Sequence, residues 1–154
     1  ASFEGVRKRM DQKGELQGAL LFEDFGHHPT AIRAVLGGLR QRYPERRIVT
    51  AFRAESNTSR TPIFEDQYVE AFTGCDRLLL AATLVKQDYL KTERYFDPVA
   101  IAETLRARGV DATAHAEVPE LAAQLRQELG AGDLFILFSS RGMDGLYEQL
   151  MGAV

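Results

Sequence analysis

The chain has 154 residues, 45% of them hydrophobic and 27% charged, which suits one globular domain with its own core. Its 19 Lys and Arg against 22 Asp and Glu leave a net charge of −3, which argues against a nucleic-acid partner held by bulk positive charge. The single cysteine, Cys75, excludes an intramolecular disulfide or multi-cysteine zinc site, and the longest apolar run, 78–82, is too short to span a bilayer, so a cytoplasmic domain with no membrane partner is expected.

The opening residues Phe3-Glu4-Gly5-Val6-Arg7-Lys8-Arg9-Met10 are basic and lack the apolar centre of a signal peptide. A turn at Gln12-Lys13-Gly14-Glu15 would let residues 7–12 pair antiparallel with 16–20 as a hairpin. Residues 15–25 hold the apolar run Ala19-Leu20-Leu21-Phe22, a strand ending at Glu23-Asp24. Over 29–43, Ile32, Val35, Leu36 and Leu39 fall on one helix face, with Pro29 at N1 and Tyr43-Pro44 as the stop. Residues 47–52 read as a strand, followed by a polar loop through Pro62. A helix over 63–72 ends at Thr73-Gly74, and 76–82 is a strand apolar on both faces.

Residues 83–97 form a long irregular stretch, a length that usually carries function. A helix over 98–108 turns Ile101 and Leu105 inward and ends at Gly109. A strand over 110–115, a helix over 119–129 with a Leu121/Leu125/Leu129 stripe, a strand over 134–138 and a helix over 145–151 complete the chain. Strands alternating with helices predict right-handed βαβ units. The fold expected is α/β: a three-layer α/β/α, Rossmann-like domain over 1–154, its sheet of about six strands mostly parallel, with one antiparallel strand near the N-terminus.

In such sheets ligands bind beyond the carboxyl ends of the strands. Asp24-Phe25-Gly26-His27-His28-Pro29-Thr30 is the densest polar segment there. A carboxylate at that place could accept from a ribose diol while the helix start offers N–H groups to an anion. The same residues could equally make a tight strand-to-helix turn in which a histidine caps backbone groups. Adjacent histidines point apart and no third ligand at helix spacing accompanies them, so no metal site is expected. Arg53-Ala54-Glu55-Ser56-Asn57-Thr58-Ser59-Arg60 is either a solvated loop or a hydrogen-bonding surface. Ser139-Ser140-Arg141-Gly142-Met143-Asp144-Gly145 could let its backbone approach a phosphate or peptide. The chain contains no G-x-x-x-x-G-K-[ST] phosphate loop. Cys75 reads as a small core residue.

Phe3-Glu4-Gly5-Val6-Arg7-Lys8-Arg9, Gly14-Glu15, Gly18 and Asp24-Phe25-Gly26-His27-His28-Pro29-Thr30-Ala31-Ile32 together resemble the C-terminal domain of Mur ligases. Ser56-Asn57-Thr58 after Phe52 is most similar to the murein peptide ligase branch. The resemblance runs over about residues 3–150. It implies an ATP-dependent amide ligase of peptidoglycan metabolism, acting in murein recycling, that joins UDP-N-acetylmuramate to a murein tripeptide through an acyl phosphate. ATP and Mg²⁺ would sit mainly on a central domain, and the UDP-sugar on an N-terminal one; both are absent from this chain, which alone should not turn over. The resemblance further implies that Asp24 contacts the ATP ribose and that Arg9 reaches the phosphates on closure. It places His27 and His28 at the domain junction in a positioning role, and Ser56, Asn57 and Thr58 facing the incoming peptide.

Two departures stand out. Where F-E-P-R-S-N-T is usual, the chain reads Phe52-Arg53-Ala54-Glu55-Ser56-Asn57-Thr58, exchanging acid and base. The final loop places Arg141 and Asp144 where glycines are usual. Arg53, Glu55, Ser140 and Arg141 are therefore added to the expected substrate-binding set, with Arg141 pairing Glu55 or replacing the displaced arginine in holding a peptide carboxylate. Other readings are an L-alanine ligase or a ligase of another amine, and a binding domain that has lost the chemistry.

Overall fold

The computed structural model describes residues 11–85, 90, 92 and 94–152. Arg7, Lys8 and Arg9 lie outside the described residues. The elements in chain order are β1 (Asp11–Leu16), β2 (Ala19–Asp24), α1 (Pro29–Arg42), β3 (Arg47–Phe52), a 3₁₀ turn (Pro62–Phe64), α2 (Glu65–Phe72), β4 (Arg77–Ala81), α3 (Pro98–Ala107), β5 (Asp111–His115), α4 (Val118–Glu128), β6 (Asp133–Phe138) and α5 (Leu146–Met151). They build one six-stranded sheet in the order β1-β2-β6-β3-β4-β5. Only β1 runs antiparallel to its neighbour; the other pairs are parallel. The α/β fold is the one the alternation predicts.

The hairpin differs from expectation. Its turn is Gln17-Gly18, with φ of 56° and 89°, and Leu16 faces Ala19 across it. Two successive positive φ values are those of a two-residue hairpin turn whose twist matches that of the strands. Gly14, at φ 115°, instead marks the place where the register slips between Gln12 and Gly14. A bulge absorbs one residue there, and a glycine takes it without strain. Gly18 is also sterically required: a Cβ on it would lie 2.9 Å from the Ala131 Cα.

Helix ends follow their local chemistry. Pro29 stands in the first turn of α1, and the Asp97 carboxylate accepts from the Ala100 N–H at 3.1 Å to cap α3. Glu120 accepts from the Glu117 N–H at 3.1 Å at the start of α4. The stretch expected to be helical from 63 opens as the 3₁₀ turn Pro62–Phe64 and becomes a regular helix only from Glu65.

Two cores sandwich the sheet. Ile32, Leu36 and Leu39 of α1, Tyr68 and Phe72 of α2, and Ile101 and Leu105 of α3 cover one face. Leu121 and Leu125 of α4 with Leu146 and Leu150 of α5 cover the other. Truncating a fully buried leucine such as Leu36 to alanine in such a core costs about 2–5 kcal/mol. Strand β6 lies between β2 and β3, yet its following helix α5 covers the opposite face from α1 and α2. Backbone paths therefore diverge at the carboxyl ends of β2, β6 and β3, and a crevice opens there.

Candidate functional site

Three loops meet at this rim. Asp24 at the end of β2 is buried, and its Oδ1 accepts the Gly26 N–H at 2.6 Å. A Cβ on Gly26 would lie 2.8 Å from that oxygen, so the close turn depends on glycine. His28 is the N-cap of α1, its Nδ1 accepting from the Thr30 N–H at 3.3 Å, and its ring meets Phe64 edge-on at 5.1 Å. The segment forms a tight strand-to-helix turn with a capping histidine. His27 has its Nδ1 shut from solvent with no hydrogen-bond partner, while its carbonyl accepts from the Tyr68 hydroxyl. Phe25 is 44% exposed beside them.

The loop after β3 is held by its own hydrogen bonds. The Ser56 and Ser59 hydroxyls pair at 2.8 Å, and the Asn57 side-chain oxygen accepts from Arg60 at 2.7 Å. Asn57 and Thr58 remain exposed. Arg60, which the sequence does not single out, is fully buried and donates to the Leu84 carbonyl at 3.4 Å, while its own carbonyl accepts from Phe96 N–H. It fastens the loop to the segment after β4. The available signal is a cation closing a polar strand-end loop.

The exchanged Arg53 and Glu55 form a buried ion pair at 2.8 Å. The Ser139 hydroxyl, at the end of β6, donates to Glu55 at 3.2 Å and accepts from the N–H groups of Arg141 and Met143. Arg53 also donates through Nη1 and Nη2 to the two oxygens of Asp144, at 2.8 and 3.0 Å. Burial opposes the Arg53 charge, but the hydrogen bonds to Asp144 and Glu55 outweigh it and raise its pKa. The bond from Arg53 in turn lowers the Asp144 carboxyl below its ordinary value. The expected Arg141–Glu55 pair is therefore not formed. Arg53 is two residues from Glu55 and engages it first, and Asp144, rather than Arg141, spans the gap between the loops. The exchanged Arg53 and Glu55 and the added Asp144 are thus joined in one interaction, and the Arg141 side chain stays outside it.

Ser140 and Arg141 are exposed. Arg141 lines an open cavity of about 460 Å³ with Lys13, Glu23, Gly142, Gly145, Tyr147 and Glu148. Asp11, Glu23, Phe25, Ser139 and Ser140 line another of about 170 Å³. Residues 142–145 all have positive φ, 77°, 49°, 54° and 74°. For the non-glycines Met143 and Asp144 this conformation costs about 1–2 kcal/mol each. The rim thus combines a buried cation–carboxylate cluster, exposed hydroxyls and a strained loop, able to bind a polar ligand through fixed donors.

Among the described residues no group of three or more His, Cys, Asp or Glu could hold a metal ion. No helix among them is long and apolar enough to cross a membrane. Cys75 is buried, and burial pushes its thiol up to about 12, so it is no nucleophile.

The UDP-N-acetylmuramate–L-alanine ligase of Desulfosudis oleivorans is 35% identical over 136 residues, covering 86% of this chain and 28% of that protein. The enzyme of the same name from Treponema pallidum is 36% identical over 141 residues, covering 88% and 28%. The chain thus spans a little over a quarter of the length of these relatives. In structure it is similar to a murein peptide ligase of Psychrobacter arcticus, with a TM-score of 0.76 at 23% identity, covering 96% of this chain and 30% of that one. The UDP-N-acetylmuramate–alanine ligase of Thermotoga maritima gives a TM-score of 0.68 at 14% identity, covering 95% and 29%. Residues 8–141 match the family described as Mur ligase, glutamate ligase domain. With that match added to the sheet order and the strand-end loops, the chain belongs to the Mur ligase family as its C-terminal domain.

Proposed function

We propose that this chain is the amine-delivering domain of an ATP-dependent ligase that joins the carboxyl group of UDP-N-acetylmuramate to an amine-bearing substrate in cell-wall synthesis. The observation that carries the reading is the match over residues 8–141, together with relatives 35% and 36% identical whose names share that UDP-sugar. L-alanine is the amine those names give. A murein tripeptide is the second reading, supported by the Ser56-Asn57-Thr58 loop and its likeness to the peptide-ligase branch.

The described residues do not suit a magnesium site, and the sequence has no phosphate loop. ATP and Mg²⁺ would accordingly be held by a separate domain. This chain's part is to bind and orient the amine, and to exclude water when it closes over an activated carboxyl. The strand-end rim suits that part: Ser140, Asn57 and Thr58 offer exposed hydrogen-bonding groups around a buried Arg53–Glu55 pair. On the same reading Asp24, Arg9, His27 and His28 belong to the junction with the other domains, and the protein acts in the cytoplasm.

The test is to express the full-length gene product and measure ATP-dependent phosphate release with UDP-N-acetylmuramate, comparing L-alanine with the tripeptide. Faster release with L-alanine supports the first reading, and faster release with the tripeptide the second. No release with any amine sinks both and leaves a binding domain without the chemistry.

A further inference from the structure

The two edges of the sheet are defended differently. Strand β1 carries Lys13, and its ladder slips at Gly14, so a charge and a bulge disturb that edge. Strand β5 pairs with β4 without a slip from Asp111 to His115 and contains neither lysine nor proline. The Asp111 N–H donates to the Asp76 carbonyl, and the His115 carbonyl accepts from the Ala82 N–H. In a parallel ladder alternate residues turn to the neighbouring strand. Residues 111, 113 and 115 therefore face β4, and the backbone groups of Ala112 and Ala114 face outward.

One side chain stands across that edge. Arg106 of α3 donates through Nη1 to the Ala112 carbonyl at 2.8 Å, an acceptor that an added strand would use. Arg106 also lines an open cavity of about 270 Å³ with Val99, Ala102, Thr113 and Ala114. Val99 is 58% exposed there, an apolar side chain left beside an unpaired strand.

The strand is complementary to itself. Turned antiparallel about a two-fold axis at Thr113, it sets Ala112 opposite Ala114 of a second copy, and Asp111 opposite His115 of that copy. Each Ala112–Ala114 pair then exchanges both of its N–H···O=C bonds, and the small side chains let the backbones close. The flanking pair matches in chemistry. Arg77 can only donate to the Thr113 hydroxyl, so that hydroxyl gives its proton to His115 Nε2, and the ring keeps its own on Nδ1. Burial and the Arg77 charge keep the ring neutral at pH 7. The Asp111 carboxylate, 69% exposed, can accept that Nδ1–H across the strands.

We propose that the open edge of β5 is a self-pairing surface, where a second copy of the chain adds antiparallel, centred on Thr113, once Arg106 swings off Ala112. Arg106 is the latch, and with it in place pairing is weak. Neither ATP nor an amine takes part, so the pairing stands or falls apart from the ligation assay.

The test compares the parent chain with Arg106→Ala and Ala114→Pro by sedimentation velocity from micromolar to millimolar concentration, with amide hydrogen exchange alongside. Arg106→Ala should dimerise about tenfold or more tighter than the parent, because a competing charge-assisted bond is lost from each copy. Ala114→Pro removes an outward N–H at an edge where proline is tolerated, and should stay monomeric. In Arg106→Ala the amides of 112 and 114 should exchange more slowly as concentration rises, while that of 113, already bonded to β4, does not change. An Arg106→Ala chain no more associated than the parent overturns the proposal. So does a dimer that Ala114→Pro leaves intact, or one that forms without protection at 112 and 114.

Discussion

The two ends of the parallel sheet both carry buried arginines, but they are built differently. At the amino end, Arg77 of β4 lies 5% exposed against Glu128 at the end of α4, with bonds of 2.9 and 3.1 Å from Nε and Nη2. It also donates to Thr113, whose hydroxyl meets His115 Nε2 at 2.8 Å. Arg47 and Asp133 join the group from the starts of β3 and β6. Its members all sit on regular strands and a helix. At the carboxyl end Arg53 is as deeply buried, but one of its partners rides on a strained, exposed loop. An ion cluster whose partners are all supplied by regular elements is built to stay; one closed by a strained loop can be opened.

Arg77→Met is the most direct way to break this contrast. It takes the nearest cation from Glu128, leaving only Gln124 and the more distant Arg47 beside that carboxylate, and removing one partner of a buried pair costs about 3 kcal/mol. Urea unfolding should show a lower midpoint with an unchanged slope. A loss below about 1 kcal/mol would make the amino end as dispensable as an ordinary surface pair.

An intermediate effect is expected from pH. Burial opposes ionisation of Glu128, yet bonds from Arg77 and Gln124 and the charges of Arg77 and Arg47 bring its carboxyl below the ordinary 4.5. Burial, then the Arg77 charge, lowers His115 from its ordinary 6.5 despite the nearby Glu120 and Glu128. Both groups bind fewer protons folded than unfolded, so stability rises with pH through their titration. On acidification the His115 contribution begins to fall near pH 6.5, and the Glu128 contribution starts to fall below about pH 4.5. His115→Gln should remove the upper step from a plot of unfolding free energy against pH and leave the lower one. If the upper step survives, His115 is not its source.

The smallest effect belongs to the carboxyl end. Asp144→Gly loses an exposed ion pair, worth at most about 1 kcal/mol, and relieves a left-handed residue by a similar amount. Its thermal midpoint should stay within a few degrees of the parent chain. A large drop would show that this rim, too, is a structural anchor.

Much of the fold is legible in sequence because it is written locally. The strand Arg47–Phe52 is an apolar run between a proline-stopped helix and a polar loop, and its bounds are those expected. The hairpin misleads because two glycines compete for the turn. Gly14 follows a polar stretch, but Gln17-Gly18 is the pair whose two positive φ values join the strands directly. The position of β6 between β2 and β3 has no local signature, since it depends on which edges remain to be covered after five strands are laid down. The site follows the same rule. Its loops are legible as strand-end polar segments, whereas the partner of Arg53 is not, because residues 53 and 144 meet only when the sheet brings β3 and β6 side by side. Arg141 is the partner a linear reading suggests; in the left-handed turn it is Asp144 that reaches Arg53 instead.

The central place of β6 also has a consequence for how the chain is made. Strands β2 and β3 never touch each other; each waits for a partner that ends at Phe138. During synthesis all five preceding strands must leave the ribosome before the middle ladder can zip, so the facing edges of β2 and β3 stay open until β6 emerges. Slow, late-closing topologies of this kind are where association between nascent chains competes with folding. Truncation just before β6 should therefore yield a chain prone to self-association rather than a smaller folded unit.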